Sequence, residues 1–374
     1  MNRLQTLHAD FGQSIWIDHL SRSWLADGSL KAWIDRGCRG ITSNPTIFEK
    51  CLSSEDAYDA DLAKLRSEGI SIENIYWQLV TDDVAEAADQ LASVYAQSNG
   101  EDGFVSVEVS PHLARDAEAT VAAAKELRSR FAAENIYIKV PGTEEGVKAM
   151  CPLISDGINL NITLIFSLER YRQVAVAYID ALEDLASKSP STIARITGVA
   201  SFFVSRVDTE VDSRLNALDS TALDSTQANI AQGQAAIAQA KLAYQTFLEL
   251  FSGPRWERLV ALGARPQRPL WASTSTKTPA YPDTLYPDNL IGSNTVNTLP
   301  ESTANAFDNH GTLARTIDTD LEATKNFWHF LPKASIDMTD VAVLLEEQGL
   351  QAFSDSFTNA LVALEAKASK LEAK

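Results

Sequence analysis

Seven polar residues stand at or near the ends of separate strand-like stretches. They are Asp18 in 13–18, Asn44 in 40–45, Glu108 in 104–111, Lys139 in 136–143, Asn161 in 157–166, Ser201 in 197–204 and Ser273 in 268–274. The lysine is the unusual member. It lies in Ile-Tyr-Ile-Lys-Val before Pro141-Gly142, a run of β-branched and aromatic residues with a turn signal behind it. Desolvation favours the neutral form of an amine, and a neutral amine can attack a ketone. The iminium so formed withdraws electrons, and an adjacent C–C bond can then break or form. That chemistry needs proton carriers at two places: the carbon that loses water, and the hydroxyl whose proton leaves on cleavage. Asp18 and Glu108 are the carboxylates available. A lysine on a surface strand with its head in water would read the same in isolation, and a lone polar residue at a strand end is commonly a turn or a cap. The recurrence over successive strands is what argues for a shared site.

Strand side chains alternate between faces. Ser14, Trp16 and Asp18 therefore share a face, as do Thr42 and Asn44; Phe104, Ser106 and Glu108; Tyr137 and Lys139; Asn159, Asn161 and Thr163; and Val199, Ser201 and Phe203. The opposite faces are mostly apolar, with Ile158, Leu160, Ile162 and Leu164 the longest such row. Helical periodicity fills the intervals, for example from Ile75 to Leu91 and from Asp116 to Phe131. Thr143 reads as an N-cap ahead of a helix to about Ile154, and Ser167 as the cap of a helix to about Ser187.

Such strand–helix alternation implies a parallel sheet. In an open doubly wound sheet the central strands are covered on both faces and read as continuous apolar runs. Strands with one polar face fit a closed (β/α)8 barrel instead, whose inward residues near the strand C-termini form the site. No Gly-x-Gly-x-x-Gly follows the first strand, which removes the best evidence for a dinucleotide fold. The expected architecture is one α/β domain over residues 1–374. Extra helices are inserted at about 206–262, including a loop on the near-repeat Ala-Leu-Asp-Ser-Thr at 217–226, and the region from about 300 to 374 is helical. The eighth strand is expected near Asn289–Ile291. Helices are expected over Leu313–Trp328, Met338–Leu345 and Gln351–Lys374, the last with apolar spacing from Phe353 that suits docking on the body.

The net charge of −18 runs against nucleic-acid binding, and no apolar run reaches the roughly 18 residues that a membrane span needs. Met1–Gln5 lacks the apolar core of a secretory signal, and the three cysteines, Cys38, Cys51 and Cys151, are widely spaced. A reducing cytoplasm is expected, with neither nucleic acid nor membrane as partner and with the chain a monomer or a homodimer. The five histidines show no metal-ligand spacing. An acidic chain can still bind an anionic metabolite through a local basic cluster.

Five stretches together carry a family resemblance: Ser43-Asn44-Pro45-Thr46, Val107-Glu108-Val109, Ile138-Lys139-Val140-Pro141, Ile158 to Ser167, and Ser201-Phe202-Phe203-Val204-Ser205-Arg206. Together they resemble transaldolase, in its longer bacterial form with TSNPTIFEK and LWASTSTKTPAYPDTLY, over about Gln13 to Pro300. The resemblance implies a (β/α)8 TIM barrel that moves a dihydroxyacetone unit from a ketose phosphate to an aldose phosphate in the pentose phosphate pathway, with no metal and no organic cofactor. It implies Lys139 as the Schiff-base lysine and Asp18 as the base in cleavage. It further implies Glu108 and Thr163 as holders of a proton-shuttling water, Asn44 and Asn161 as ligands of substrate hydroxyls, and Thr42 as support for Asn44. Ser201 and Phe203 would line the pocket, and Arg206 and Ser273 would bind phosphate. Shorter members carry an arginine after the equivalent of Ser273, where this chain reads Thr-Ser-Thr-Lys; Lys277 is the expected substitute, although an ammonium lacks the arginine fork. Two other functions fit the same stretches. One is a simple aldolase resembling fructose-6-phosphate aldolase, a related family with tyrosine where Phe203 stands. The other is a non-catalytic sugar-phosphate-binding barrel.

Overall fold

The computed structural model describes residues 1–217 and 231–372. Eight parallel strands close on themselves in chain order: β1 Gln13–Asp18, β2 Gly40–Thr42, β3 Phe104–Glu108, β4 Ile136–Pro141, β5 Leu160–Ile165, β6 Gly198–Phe203, β7 Gln267–Ala272 and β8 Thr295–Leu299. The open-sheet alternative is thereby excluded. The polar faces read from the sequence point into the barrel. Tyr137 stacks on Phe104 with ring centroids 4.1 Å apart and lies 5.9 Å from Trp16, and these aromatics fill the interior below Lys139. Register does the remaining positioning: Glu108 is paired with Lys139, Lys139 with Asn161, and Asp18 with Thr42.

At the strand N-termini, Asp102 ties several strand starts together. It accepts hydrogen bonds from Ser14 (2.7 Å), Arg39 (2.7 Å) and Arg268 (2.9 Å) while 1 % exposed. The two guanidiniums outweigh its burial and hold its carboxyl at about 2. This end of the barrel is structural. Function belongs at the other end, where strands give way to loops.

Three expectations need correction. The eighth strand is Thr295–Leu299, whereas Leu285–Asn289 is a short helix. Leu290 and Ile291 are fully buried, but the Ile291 carbonyl accepts from Thr316 and Ile317 rather than from a strand. Their apolarity reports burial, not pairing. The second correction concerns the helices after β8, which span Glu301–His310 and Leu321–Phe330 rather than Leu313–Trp328. The third concerns the end of the chain. Met338–Glu372 is one helix of 35 residues with no break at Gly349. That glycine marks a close approach: a Cβ there would stand 3.0 Å from Leu164 Cδ2 on β5. Leu164 itself has φ of 58° where the β5–β6 register shifts between Ile162 and Ile165, so the alternation expected through Leu164 ends at a bulge.

In the insertion, helices span Ser205–Ala217, Ala235–Leu250 and Gly253–Val260, close to expectation; the near-repeat falls almost wholly outside the described residues. Among the described residues, no helix is long and apolar enough to cross a membrane.

Candidate active site

Lys139 leaves β4 two residues before Pro141, which closes the strand. Thr143 then caps the next helix, its hydroxyl accepting from Gly146 N at 2.9 Å. The lysine is 4 % exposed. Its Nζ donates to the Ser43 carbonyl at 3.1 Å and lies 3.2 Å from Glu108 Oε2. The carboxylate contact is ionic only: neither Glu108 oxygen has a partner in hydrogen-bonding geometry, and neither has Thr163 Oγ1, a fully buried hydroxyl. The Glu108 oxygens and the Thr163 hydroxyl, none of them hydrogen-bonded, are an acceptor and donor set held ready for something else, since buried polar atoms are otherwise satisfied.

Asp18 ends β1 beside Thr42, whose hydroxyl donates to Asp18 Oδ1 at 2.7 Å and lies 2.6 Å from Thr298 Oγ1. Thr42 thus positions Asp18. Burial raises the pKa of Asp18, with Lys139 and the Thr42 hydrogen bond opposing it; burial likewise raises Glu108, with Lys139 opposing. Burial thus favours the protonated form of both carboxyls more than water does.

Asp18, Thr42, Asn44, Lys139, Thr163, Ser201, Phe203, Arg206, Ser273 and Lys277 all line one cavity of about 310 Å³. Asn44 uses its amide oxygen to cap the helix Pro45–Ser54, accepting from Ile47 N at 3.0 Å, so what it can offer a ligand is its Nδ2 donors. Two expected residues do not reach this cavity wall. Asn161 is fully buried, donating to Ser106 Oγ (3.0 Å) and accepting from Ser201 Oγ (2.6 Å), and it fixes the position of Ser201. Glu108 faces a separate small cavity of about 10 Å³, walled also by Ser43, Tyr76 and Phe357, about the room of one water molecule.

Three cations stand on the cavity wall. Arg206 and Lys277 line it with Lys50, and among the described residues none of the three has a carboxylate partner within ion-pair distance. Burial, then Arg206 and Lys50, pulls the Lys277 ammonium down, and burial alone lowers Arg206. Ser273 and Ser275 add hydroxyls. Ser273 sits at φ 55°, a conformation rare outside glycine, and its hydroxyl lies 3.0 Å from that of Ser205. Crowded, unpaired cations beside hydroxyls suit a dianion such as a phosphate monoester.

Sequence reasoning missed Lys50, Thr298 and Phe353 on this wall. Lys50 lies within the TIFEK stretch, and helical spacing from Asn44 could have raised it. Thr298 was lost with the misplaced strand. Phe353 comes from the C-terminal helix, and nothing local shows which part of the barrel it meets.

A closed barrel with a buried lysine, two buried carboxyls beside it and a cationic pocket wall defines an enzyme of the lysine-bearing barrel class. Comparison with known proteins narrows it. A profile of the transaldolase/fructose-6-phosphate aldolase family matches residues 15–364. Over 97 % of each sequence the chain is 42 % identical to the transaldolase of Trichodesmium erythraeum. It is 43 % identical to that of Thermobifida fusca over 94 % of this chain and 95 % of the relative. It is also 42 % identical to "Transaldolase 2" of Streptomyces coelicolor over 97 % and 96 %. The chain belongs to the transaldolase/fructose-6-phosphate aldolase family, and its function is that of a transaldolase, a transferase.

Proposed function

We propose that this enzyme carries a dihydroxyacetone unit on Lys139, from a ketose phosphate such as sedoheptulose 7-phosphate or fructose 6-phosphate to glyceraldehyde 3-phosphate or erythrose 4-phosphate, in the pentose phosphate pathway of the cytoplasm. The observation that carries the reading is the single cavity whose wall holds Lys139 together with Arg206, Lys277 and Lys50. A sugar phosphate is polar along its length and carries a dianion that these cations complement.

The amine of Lys139 attacks the donor ketone. Glu108, 3.2 Å away, takes part in moving protons as water leaves, through a water held with Thr163. Asp18, held by Thr42, accepts the proton of the hydroxyl whose C–O becomes the departing aldehyde. The three-carbon unit then remains as an enamine until an acceptor aldehyde binds and the steps reverse. Asn44 and Ser201 hold substrate hydroxyls, while Asn161 fixes Ser201. Phe203 packs on Phe166 at 5.1 Å and shapes the wall before Arg206. Arg206, Ser273 and Lys277 bind the phosphate, with Lys50 supplying charge that a single ammonium at Lys277 cannot.

Borohydride reduction in the presence of fructose 6-phosphate, followed by peptide mass mapping, tests the assignment. The expected result is one adduct, on Lys139, absent from Lys139→Ala. An adduct on any other residue overturns the mechanism.

A further inference from the structure

One face of the C-terminal helix roofs the reacting groups. Gly349, Phe353 and Phe357 follow at intervals of four, which brings them onto one side of a helix. Gly349 lets the helix meet β5 at Leu164. One turn on, the Phe353 ring centroid lies 5.8 Å from Lys139 Nζ, and the side chain forms part of the main cavity wall. A further turn on, Phe357 walls the small cavity beside Glu108 and meets Tyr76 edge-on at 5.0 Å. Phe353 is 4 % exposed and Phe357 2 % exposed.

The helix is fixed in this place along its length. Asp340 pairs with Arg214 at 2.7 Å, Glu346 with Arg115 at 3.0 Å, and Lys367 with Asp59 at 2.6 Å. Close to Phe353 itself, Ser356 Oγ lies 2.8 Å from Thr46 Oγ1, and Ser354 Oγ lies 3.0 Å from His112 Nδ1. The ring is thus held over the amine by bonds from several sides.

An enamine on Lys139 has two fates. Its nucleophilic carbon can bond to the acceptor's aldehyde carbon, whose oxygen takes up a proton. Alternatively, that carbon takes a proton from water, a water molecule adds to the resulting iminium carbon, the C–N bond breaks, and dihydroxyacetone leaves with the amine restored. The first fate needs water only after the new C–C bond is made, to release the product from the lysine, whereas the second needs a proton from water at the enamine itself. From the position of the ring we infer that Phe353 determines the partition between these fates: it limits the access of further water to the enamine carbon, beyond the one held by Glu108 and Thr163, so the three-carbon unit waits for an acceptor. The inference rests on the Lys139 reading above. A phenyl ring cannot donate, accept or move a proton, so its effect is on solvent access and not on the bond-making steps.

The test compares the native chain with Phe353→Ala, Phe353→Leu and, as a control, Val362→Ala, which alters an exposed residue of the same helix. Fructose 6-phosphate is supplied with and without erythrose 4-phosphate, and the ratio of free dihydroxyacetone to sedoheptulose 7-phosphate is measured alongside borohydride trapping. The ratio should rise about tenfold in the alanine variant, ~1.4 kcal/mol in relative barriers, and about threefold in the leucine variant, with the Lys139 adduct retained. It should stay at the native value in Val362→Ala. A helix that merely stabilises the barrel would lower the melting temperature and total turnover in the Phe353 variants and leave the ratio unchanged. An adduct on Lys139 with the native ratio in Phe353→Leu overturns the inference, whether or not the alanine variant folds. Absence of an adduct in the native chain rejects the Lys139 reading itself, and this inference with it.

Discussion

The chemistry turns on how few partners the reacting groups have. Glu108 faces Lys139 across 3.2 Å, yet neither of its oxygens is hydrogen-bonded, and burial pushes its pKa upward. A carboxyl used only to neutralise the lysine would gain from closer, aligned contacts. One left in this state can exchange protons with a bound water. Glu108→Gln keeps the shape and removes the proton exchange. It should lower the rate of imine formation by about 10²–10⁴-fold while KM changes within about threefold, as single-turnover trapping and steady-state kinetics would register. Unchanged turnover would take Glu108 out of the mechanism. At this scale the sequence was informative about types: Lys139, Glu108, Asp18 and Ser201 were each readable as inward polar residues from strand alternation. Their partners were not. That Thr42 holds Asp18, and that Asn161 spends both ends of its amide on Ser106 and Ser201, depends on which strands lie side by side.

Strand register and strand ends are what convert separate polar residues into a site. β3, β4 and β5 set Glu108, Lys139 and Asn161 abreast. The turn after β4 then has to bend at once, and Gly146 makes this possible: a Cβ there would fall 1.9 Å from the Pro141 carbonyl oxygen. Because that oxygen is backbone at the end of the lysine's own strand, Gly146→Ala should destabilise the fold by about 2–3 kcal/mol, read as a lower urea midpoint, and should depress turnover as Lys139 shifts. The elements misread from sequence fail for related reasons. Leu290 and Ile291 are buried as a strand would be, and Gly349 sits where a helix would end. Apolarity and glycine report an environment, but the neighbour that creates the environment is remote in sequence. Leu164 is 185 residues from Gly349 along the chain, and their packing could not be read from either segment.

Across the whole molecule, closure of the barrel gives the site its floor, and the helices outside the barrel give it a roof and a buttress. The helix Ser205–Ala217, which carries Arg206 in its first turn, is tied to the rest of the insertion through Asp208. That carboxylate accepts from Ala236 N at 2.8 Å and from the Tyr286 hydroxyl at 2.9 Å, with no cation against it among the described residues. Burial pushes its pKa up to about 7. Between the ordinary aspartate value and 7 the folded chain holds a proton that the unfolded chain has lost, so this group's contribution to stability declines as pH rises across that interval. Asp208→Asn keeps an acceptor and removes the titration. The native chain should therefore lose stability relative to the variant between pH 5 and pH 8, on the order of 2 kcal/mol, measurable as a pH-dependent difference in urea midpoints. A constant difference over that range would show that Asp208 does not titrate there.

The sequence by itself determined the alternation of strands and helices, which face of each strand is polar, and which residues could serve as nucleophile and acid–base groups. These follow from side-chain periodicity and from the chemistry of each residue type, both local properties. The tertiary structure alone decided that Lys50 joins Arg206 and Lys277 on one cavity wall, without carboxylate partners among the described residues, and that Phe353 covers the lysine from nearly the other end of the chain. The physical reason is distance along the chain. A contact between residues 139 and 353 leaves no periodic trace in either segment, and it exists only once the barrel has given the last helix a surface to cross.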